Sequence, residues 1–408
     1  MIKYIVKAIG EDLLKTKKKK KTEKWVKLRH KIIFNLLRPF FGLYFKIKYK
    51  FTASKDERKV PSPALIMSNH STTMDPFLLG MSFKRPIYYI TSDDLFTIPF
   101  VSRLIKWLVN PIPKSKSKSD LGTIRTTLKV LKEGGTVAIF PEGNRTLFGT
   151  NWDIDISTAK LVKVCRVPLV LYNINGGYGA DPRWGNKIRK GKMTAGVVKV
   201  LSIEEIDCLS PEQLLEIIKE ELISKDIPSS IRFKYRRRAE FLERALYYCE
   251  NCGAFNSLYS DKDKIYCRNC DFKAEYSEDL KLIAIKGMLT PTNTAEYLSL
   301  QKGKLRDIKN ENKDLLFFDK EVEARMIYDK KRHKLGDADI FGYGNGVKVK
   351  TKKEEYFCDF SSLYGVTILG KRKINFYLGD DKTLQIKGSK RFNAVKYLHL
   401  FELSKEKK

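Results

Sequence analysis

The sequence lacks a long hydrophobic run, a signal-peptide pattern and a serine-hydrolase motif, and it contains little histidine or cysteine. Its 408 residues include four histidines and seven cysteines. The uninterrupted apolar stretches fall well short of the ~20 residues that a membrane-spanning helix needs. The N-terminus lacks a compact apolar segment followed by small residues, so we expect no signal peptide. No G-x-S-x-G motif is present, which argues against the nucleophile elbow of the serine hydrolases.

Acidic residues are also scarce relative to basic ones. Lysine and arginine number 79 against 48 aspartate and glutamate, a net charge of +31, and the first 60 residues alone contribute +14. Such an excess implies an anionic partner, which would be a membrane surface, nucleic acid or a phosphorylated substrate. Alternatively, the basic excess reflects the amino-acid usage of a lysine-rich proteome and not an anionic partner.

The length predicts two or three domains. We assign residues 1–59 to amphipathic, basic membrane-interface helices. Apolar side chains share one helical face over 1–14, lysines fill 17–21, and 25–45 is richer in apolar residues, with Pro39 expected to kink it. Lysines and arginines beside an apolar face suit lipid headgroups. The alternative is that this face packs on the protein itself.

Residues 60–230 alternate strand-like and helix-like segments, which predicts an α/β domain whose sheet is covered by helices. Pro168 lies inside one strand-like segment, so that strand should begin there or lie at an edge. A helix over 211–223 closes the domain. The predicted strands are 64–67, 87–90, 136–140, 167–172 and 196–201, and the predicted helices between them are 74–82, 100–108 and 121–133.

His70 and Asp75 stand five positions apart at the end of the first predicted strand. Loops at that position carry chemistry in α/β domains. A histidine takes up a proton near neutral pH. A carboxylate that accepts a hydrogen bond from the other ring nitrogen would fix the tautomer of the imidazole. Such a base can activate a hydroxyl for attack on an acyl group. The pair taken alone is also compatible with a capped turn.

A second stretch, F-P-E-G-N-R-T at 140–146, follows the predicted strand at 136–140. Together with N-H-x4-D at 69–75, it resembles the glycerolipid acyltransferase superfamily, specifically the 1-acylglycerol-3-phosphate acyltransferases. That family carries N-H-x4-D and then F-P-E-G-T-R-S, in this order and at about this separation. Here Asn144 replaces threonine and Thr146 replaces serine. The resemblance covers roughly residues 25 to 225.

The resemblance implies an acyl transfer in which His70 is the general base and Asp75 orients it. The acceptor hydroxyl would attack the thioester of acyl-CoA or acyl carrier protein, and no acyl-enzyme is needed. His70 is the only histidine within 60–230, so no second histidine there competes for this role.

The resemblance also implies a cationic site for the acceptor's phosphate, made of Arg145 with Lys114 or Lys116. The family's second block ends in an arginine where this chain has lysines, and lysine lacks the bidentate fork. Glu142 either helps to position the acceptor or holds the loop by accepting backbone N–H bonds. Gly143 lets the backbone turn where a side chain would obstruct.

Four cysteines form two C-x2-C pairs separated by fourteen residues, which resembles a zinc ribbon. Paired thiolates suit one tetrahedral structural ion and a reducing compartment rather than disulfides. We therefore assign 231–280 to a helix and a zinc ribbon. The alternative is four unrelated buried thiols. The predicted ligands are Cys249, Cys252, Cys267 and Cys270.

Residues 281–408 are predicted to be mostly β, with seven short strands followed by a helix over 391–403. That element order resembles a pleckstrin-homology-like domain, although a small ligand-free barrel has the same pattern. The predicted strands are 315–319, 324–328, 346–350, 355–359, 366–369, 374–377 and 383–386.

The combined prediction is an α/β acyltransferase domain with N-terminal interfacial helices, a small zinc ribbon and a mostly β C-terminal domain. We expect a peripheral or monotopic enzyme at the cytoplasmic face of the membrane that binds anionic lipid and converts lysophosphatidic acid to phosphatidic acid. Nucleic acid is not the expected partner. The alternatives are another lysophospholipid acceptor, or a zinc-ribbon binding protein with an inactive acyltransferase-like domain. If what the family resemblance implies is right, removal of the ribbon together with everything after it should leave the chemistry largely intact.

Overall fold

The computed structural model describes residues 24–54, 60–92, 99–114, 121–227, 229–311, 315–329, 331–379 and 382–406. The helix predicted over 1–14 and the lysine run at 17–21 lie outside these residues.

The α/β domain is built on one seven-stranded sheet. Its strand order is β1-β7-β6-β2-β5-β3-β4, and β7 runs antiparallel to β6 while the other pairs are parallel. The strands are β1 (Phe51–Ala53), β2 (Leu65–Ser68), β3 (Ile87–Ser92), β4 (Ile112–Lys114), β5 (Thr136–Ile139), β6 (Leu169–Asn175) and β7 (Met193–Leu201).

Both faces of this sheet are buried, which explains why its strands read as continuous apolar runs. Leu65 and Met67 of β2 belong to one hydrophobic cluster, and Ile66 between them belongs to the other. The helices are α1 (Leu28–Tyr49), α2 (Asp75–Ser82), α3 (Pro99–Leu108), α4 (Leu121–Lys132), α5 (Ser157–Cys165), α6 (Gly177–Ala180), α7 (Ile203–Cys208) and α8 (Pro211–Glu221).

The predicted strands and helices of this domain are present, with ends displaced by a few residues. The strand containing Pro168 begins just after it, at Leu169, and lies inside the sheet rather than at an edge. The sequence pattern missed the short strands β1 and β4 and the helix α5. β1 and β4 have three residues each, too few to show an alternation.

Helix α1 runs continuously through Pro39, so the expected kink does not end it. It leaves a row of apolar side chains exposed, from 59% to 75% of their area, at the spacing of one helical face. Within the described residues, no helix combines the length and apolar character needed to cross a bilayer. The exposed row is Leu28, Ile32, Leu36, Phe40, Leu43 and Ile47.

The four-cysteine segment forms a small antiparallel sheet in the order β11-β10-β9-β8. In place of the helix predicted at the start of 231–280, the described residues contain a single 3₁₀ turn, Leu242–Arg244. The strands are β8 (Leu258–Asp261), β9 (Lys264–Cys267), β10 (Lys273–Tyr276) and β11 (Leu282–Lys286).

The C-terminal region is a second seven-stranded sheet, wholly antiparallel, in the order β15-β14-β13-β12-β18-β17-β16. It is preceded by α9 (Thr294–Glu311) and followed by α10 (Val395–Lys405). The strands are β12 (Phe317–Tyr328), β13 (Lys331–Tyr343), β14 (Gly346–Thr351), β15 (Glu355–Asp359), β16 (Gly365–Leu369), β17 (Lys373–Tyr377) and β18 (Thr383–Lys387).

The number of strands agrees with the prediction, but their division does not. The segments 315–319 and 324–328 fall largely within one long strand, β12, which carries irregularities in its pairing with β13. β13 itself was missed because its sequence, KRHKLGDADIFGY, is charged and contains two glycines, so it shows little apolar alternation. The helix α9 was missed as well.

One hydrophobic core connects the three regions. The larger cluster includes Ile66 of the α/β sheet, Cys249 of the four-cysteine segment and Ile374 of the C-terminal sheet. The contact is close at Gly179 and Gly191, where an added Cβ would overlap the ring of Phe233. The three regions therefore pack against one another through a shared core and are not separate units joined by linkers.

Candidate active site

The two sequence blocks meet at the carboxyl edge of the α/β sheet. His70 follows β2, and Asp75 is the first residue of α2. β5 pairs directly with β2 and leads into the second block. The backbone N–H of Thr146 donates to the His70 carbonyl at 2.8 Å. Adjacent parallel strands therefore bring residues about seventy positions apart into contact.

Asp75 is fully buried and accepts from four donors. Its Oδ2 accepts from His70 Nδ1 at 2.8 Å and from the backbone N–H groups of Ser71 and Thr72 at 2.7 and 2.8 Å. Its Oδ1 accepts from the Thr72 hydroxyl at 2.6 Å. Buried carboxylates need such donors to remain charged. Asp75 therefore caps the turn and holds the His70 ring at once, so the two interpretations of the sequence are compatible.

The His70 ring is held on one side and open on the other. It stacks on Phe140 with ring centroids 4.4 Å apart and keeps 18% of its side-chain area exposed. Donation from Nδ1 to Asp75 assigns the proton to that nitrogen and leaves Nε2 with a free lone pair. Nε2 makes no hydrogen bond within the described part of the chain. The ring is therefore poised to accept a proton from a ligand.

Glu142 joins the two blocks through its carboxylate. It accepts from the backbone N–H of His70 and of Trp152 and from the Asn151 amide, each at 2.9 Å. Burial raises the pKa of Glu142 to about 7, against the lowering effect of these donors. These contacts favour the loop-holding alternative over direct contact with an acceptor.

The Arg145 guanidinium lies within electrostatic reach of Asp181 and Asp75. Its backbone carbonyl accepts from Trp152 Nε1 at 2.9 Å and from Arg183 Nη1 at 3.0 Å. Its guanidinium makes no hydrogen bond or ion pair with a described residue. Burial lowers the pKa of Arg145, while the charges of Asp181 and Asp75 raise it. A partly desolvated cation without a contact partner is suited to bind an anion.

Gly143 adopts a left-handed backbone, with φ of +67°, in the turn between these residues. An added Cβ would meet no atom within 4 Å. The backbone conformation, and not a shortage of space, is therefore what favours glycine at this position.

Lys114, one of the two lysines predicted to join Arg145, ends β4 at the same edge of the sheet. One strand, β3, lies between β4 and β5, the strand that leads to Arg145. Two strand spacings of about 4.8 Å make that separation roughly 10 Å. Lys116 lies outside the described residues.

Sequence reasoning missed several residues that hold the site. Asn69 exchanges two hydrogen bonds with the backbone of Ile174, at 2.8 and 2.7 Å, and so ties the His70 loop to β6. Its place within the N-H-x4-D block was a usable signal. Arg183 and Lys371 approach Arg145 from distant parts of the chain, and no local pattern marks either of them.

The four paired cysteines form a second candidate site. Their Sγ atoms all lie within 4.8 Å of one another, and two pairs, Cys249–Cys270 and Cys252–Cys267, are 3.8 and 3.7 Å apart. Tetrahedral zinc with bonds of about 2.3 Å would place its sulfur ligands about 3.8 Å apart. The cluster therefore fits such an ion.

Comparison with known proteins agrees with the geometry. The acyltransferase family model matches residues 50–172. A 1-acyl-sn-glycerol-3-phosphate acyltransferase of Borreliella burgdorferi is 27% identical over 183 residues, covering 44% of this chain and 72% of the relative. One from Bacillus subtilis is 26% identical over 166 residues, covering 40% and 78%.

A crystal structure of the 1-acyl-sn-glycerophosphate (LPA) acyltransferase PlsC from Thermotoga maritima covers 47% of this chain and 78% of that chain, with a TM-score of 0.41 and 20% identity. A score of that size does not establish a common fold.

Residues 50–172, which carry both sequence blocks and the His70–Asp75 pair, are therefore a domain of the acyltransferase family. The chain is an enzyme of the class to which its curated relatives, the 1-acyl-sn-glycerol-3-phosphate acyltransferases, belong.

Proposed function

We propose that this protein transfers a fatty acyl group from acyl-CoA or acyl carrier protein to lysophosphatidic acid, giving phosphatidic acid. The observation that carries the proposal is the hydrogen-bonded His70–Asp75 pair with a free Nε2, together with the Arg145 guanidinium, which lies within electrostatic reach of Asp75 and has no hydrogen-bond partner among the described residues. One group can take a proton from a hydroxyl, and the other can bind a phosphate.

In the proposed reaction, His70 Nε2 accepts the hydroxyl proton as the acceptor oxygen bonds to the thioester carbonyl carbon. The tetrahedral intermediate collapses with cleavage of the C–S bond. The imidazolium then returns the proton to the leaving thiolate, so the products are an ester and a free thiol. Asp75 stabilises the imidazolium through the 2.8 Å hydrogen bond to Nδ1. General-base assistance of this kind contributes on the order of 10²–10⁴-fold.

Arg145 would pair with the phosphate of the acceptor. Glu142 would act as a positioning residue, because it holds the backbone of His70 rather than facing a ligand. Lys114 stays a candidate for a more distant part of the acceptor or donor, and Lys116 stays a prediction.

We also propose that helix α1 lies on a membrane surface. Its exposed row of apolar side chains, from Leu28 to Ile47, has no cover within the described chain, while Lys46 and Lys48 occupy its last turn. Phe77 of α2 and Trp107 of α3 add exposed aromatic area on helices that contact α1. An apolar face flanked by cations suits an interface rich in anionic lipid, and a lysolipid acceptor would reach the site from that surface.

The cysteine cluster would hold zinc as a structural ion. Asn251 and the backbone N–H of Asn269 donate to the Sγ atoms of Cys270 and Cys267, both at 3.3 Å, which suits thiolate ligands. A closed site of four cysteines supplies folding energy and leaves no coordination position for catalysis. For the C-terminal region, two antiparallel meanders joined by the β12–β18 pair and followed by α10 support a pleckstrin-homology-like arrangement.

The test is a thiol-release assay with acyl-CoA and acyl carrier protein as donors and a panel of lysophospholipid acceptors. We expect activity with lysophosphatidic acid that falls by at least 10²-fold in His70→Ala. His333→Ala, on the C-terminal sheet, is the matched control and should retain activity. Turnover that survives in His70→Ala would refute the mechanism. Preference for another lysophospholipid would replace the acceptor, and inactivity with every acceptor would favour a binding protein with an inactive domain.

The membrane proposal has its own test, sedimentation with vesicles that contain phosphatidylglycerol. Leu36→Lys should weaken binding, because it places a charge in the middle of the apolar row. Ile223→Lys changes another exposed apolar side chain outside α1 and serves as the control. Equal binding of both variants would remove α1 from the interface.

A further inference from the structure

A buried arginine connects the acyltransferase domain to the C-terminal sheet. Arg183 is 3% exposed, and its three nitrogens donate to three backbone carbonyls: Arg145 at 3.0 Å, Ile368 at 2.7 Å and Gly370 at 3.2 Å. It has no carboxylate partner among the described residues. Arg183 therefore fixes the turn between β16 and β17 beside the loop that carries Arg145.

Lys371 is the next residue in that turn, and it faces the acyltransferase domain. Its Nζ donates to the Gly185 carbonyl and lies 3.4 Å from Asn186 Oδ1, so at least one of its three N–H bonds remains for another acceptor. Burial lowers the pKa of Lys371, Asp181 raises it, and the charges of Arg244 and Arg145 lower it further. Lys371, Asp181 and Arg145 therefore lie within electrostatic reach of one another.

The charges at this junction do not balance. Arg145, Arg189 and Lys371 lie within electrostatic reach of Asp181, and Arg183 lies within reach of Arg145. Against these four cations stand two carboxylates, Asp181 and Asp75, and Asp75 is already committed to His70. Asp181 forms no ion pair within the described part of the chain. Cations gathered in a partly desolvated place are costly unless an anion joins them. A phosphate group on the acceptor is an anion that the proposed reaction brings to Arg145.

We propose that the C-terminal sheet supplies part of the acceptor site: Lys371, held in place by Arg183, binds the acceptor's phosphate together with Arg145. The proposal rests on the proposed function for the identity of the phosphate-bearing acceptor. Arg183 is a positioning residue, because it acts through the backbone of Arg145 and of the β16–β17 turn. The sheet then takes part in substrate recognition.

The test compares Lys371→Met with Lys371→Arg in the full-length chain. Lys373→Ala is the matched control, since Lys373 begins β17 two residues later and lies near Arg332, Arg325 and Lys387 instead. Initial rates of thiol release are measured against the concentrations of acceptor and of acyl donor. We expect the KM for lysophosphatidic acid to rise about 10-fold or more in Lys371→Met, the worth of one charge-assisted hydrogen bond. The KM for the donor should stay within twofold, and Lys371→Arg should recover most of the loss.

An unchanged acceptor KM in Lys371→Met would overturn the inference, as would equal rises in the KM values of donor and acceptor. A second measurement uses the unaltered protein. Reductive methylation of Lys371, followed by mass spectrometry, should be suppressed by glycerol 3-phosphate and not by glycerol, while Lys373 reacts equally in both. Equal labelling of Lys371 would also overturn it. If the protein prefers a different phosphate-bearing lysolipid, the proposed function is wrong in its acceptor, and the same KM ratios still decide the role of Lys371.

Discussion

Replacing Asp75 by asparagine tests the role of the His70–Asp75 pair with little change in the shape of the side chain. The carboxylate accepts three N–H bonds on Oδ2 and one hydroxyl on Oδ1. Asparagine can keep its carbonyl towards the three N–H donors, and the Thr72 hydroxyl can rotate to accept from the new amide. Each N–H bond then changes from charge-assisted to neutral, at a cost of roughly 1 kcal/mol apiece, or about 3 kcal/mol of folding stability.

The loss of activity should be larger than this loss of stability suggests. Without the carboxylate charge, the imidazolium that forms when His70 takes the hydroxyl proton keeps only a neutral hydrogen-bond acceptor on Nδ1. We expect kcat to fall by on the order of 10²–10⁴-fold, with the acceptor KM changed only a few-fold. The assay is thiol release at saturating acyl-CoA, with the folded fraction measured by thermal melting in the same buffer.

Asp207→Asn is the control, because Asp207 is half exposed and pairs with Arg166 at 3.2 Å on the surface. It should cost under about 1 kcal/mol and leave kcat unchanged. A folded Asp75→Asn protein that retains more than a tenth of the unaltered kcat would show that the carboxylate only caps the turn.

Three further perturbations follow from the structure. Removing the metal with a chelator, or replacing Cys252 by serine, should lower the melting temperature before activity is lost; an unchanged melt in both would argue against a structural ion. Burial lowers the pKa of His30 to about 4 and of His399 to about 3, so both are neutral in the folded protein. As the pH falls, these histidines take up protons in the unfolded chain before they do so in the folded protein. Their contribution to the free energy of unfolding should therefore be complete above about pH 6.5 and fall by about 2 kcal/mol for each histidine at pH 5. Urea midpoints at pH 7.5 and 5 check this, and His399→Gln should show a smaller drop. Truncation after residue 230 should give an insoluble or unstable chain, because it exposes Tyr178 and Trp184 of the shared core; a soluble, active fragment would contradict this.

The meeting of the two sequence blocks was predictable because both follow strands. An apolar run ends at Ser68, a second ends at Ile139, and parallel neighbours bring the residues after them together. His70, Asp75 and Arg145 needed no information beyond that order and the family resemblance. The role of Glu142 was left open by the sequence, and three N–H donors within 2.9 Å favour one alternative.

The relation between the domains was not predictable in the same way. The family resemblance predicts that removal of the ribbon and everything after it leaves the chemistry largely intact. The structure instead shows one core through all three regions, so we now expect the opposite result. Such contacts join residues more than 180 positions apart, as Arg183 and Gly370 are, and depend on shapes that no periodicity encodes. β13 was not predicted for a different reason: its burial comes from neighbouring strands and not from its own composition.

The three hydrogen bonds that Arg183 donates have a consequence for when the site is completed during synthesis. The carbonyls that it needs belong to Ile368 and Gly370, which leave the ribosome about 185 residues after the arginine itself. At ~5–20 residues per second, that interval lasts roughly 10–40 s. During that interval the nascent chain lacks the carbonyls that connect Arg183 to the C-terminal sheet, so the enzyme should gain its full affinity for acceptor only after β16 and β17 have emerged and packed.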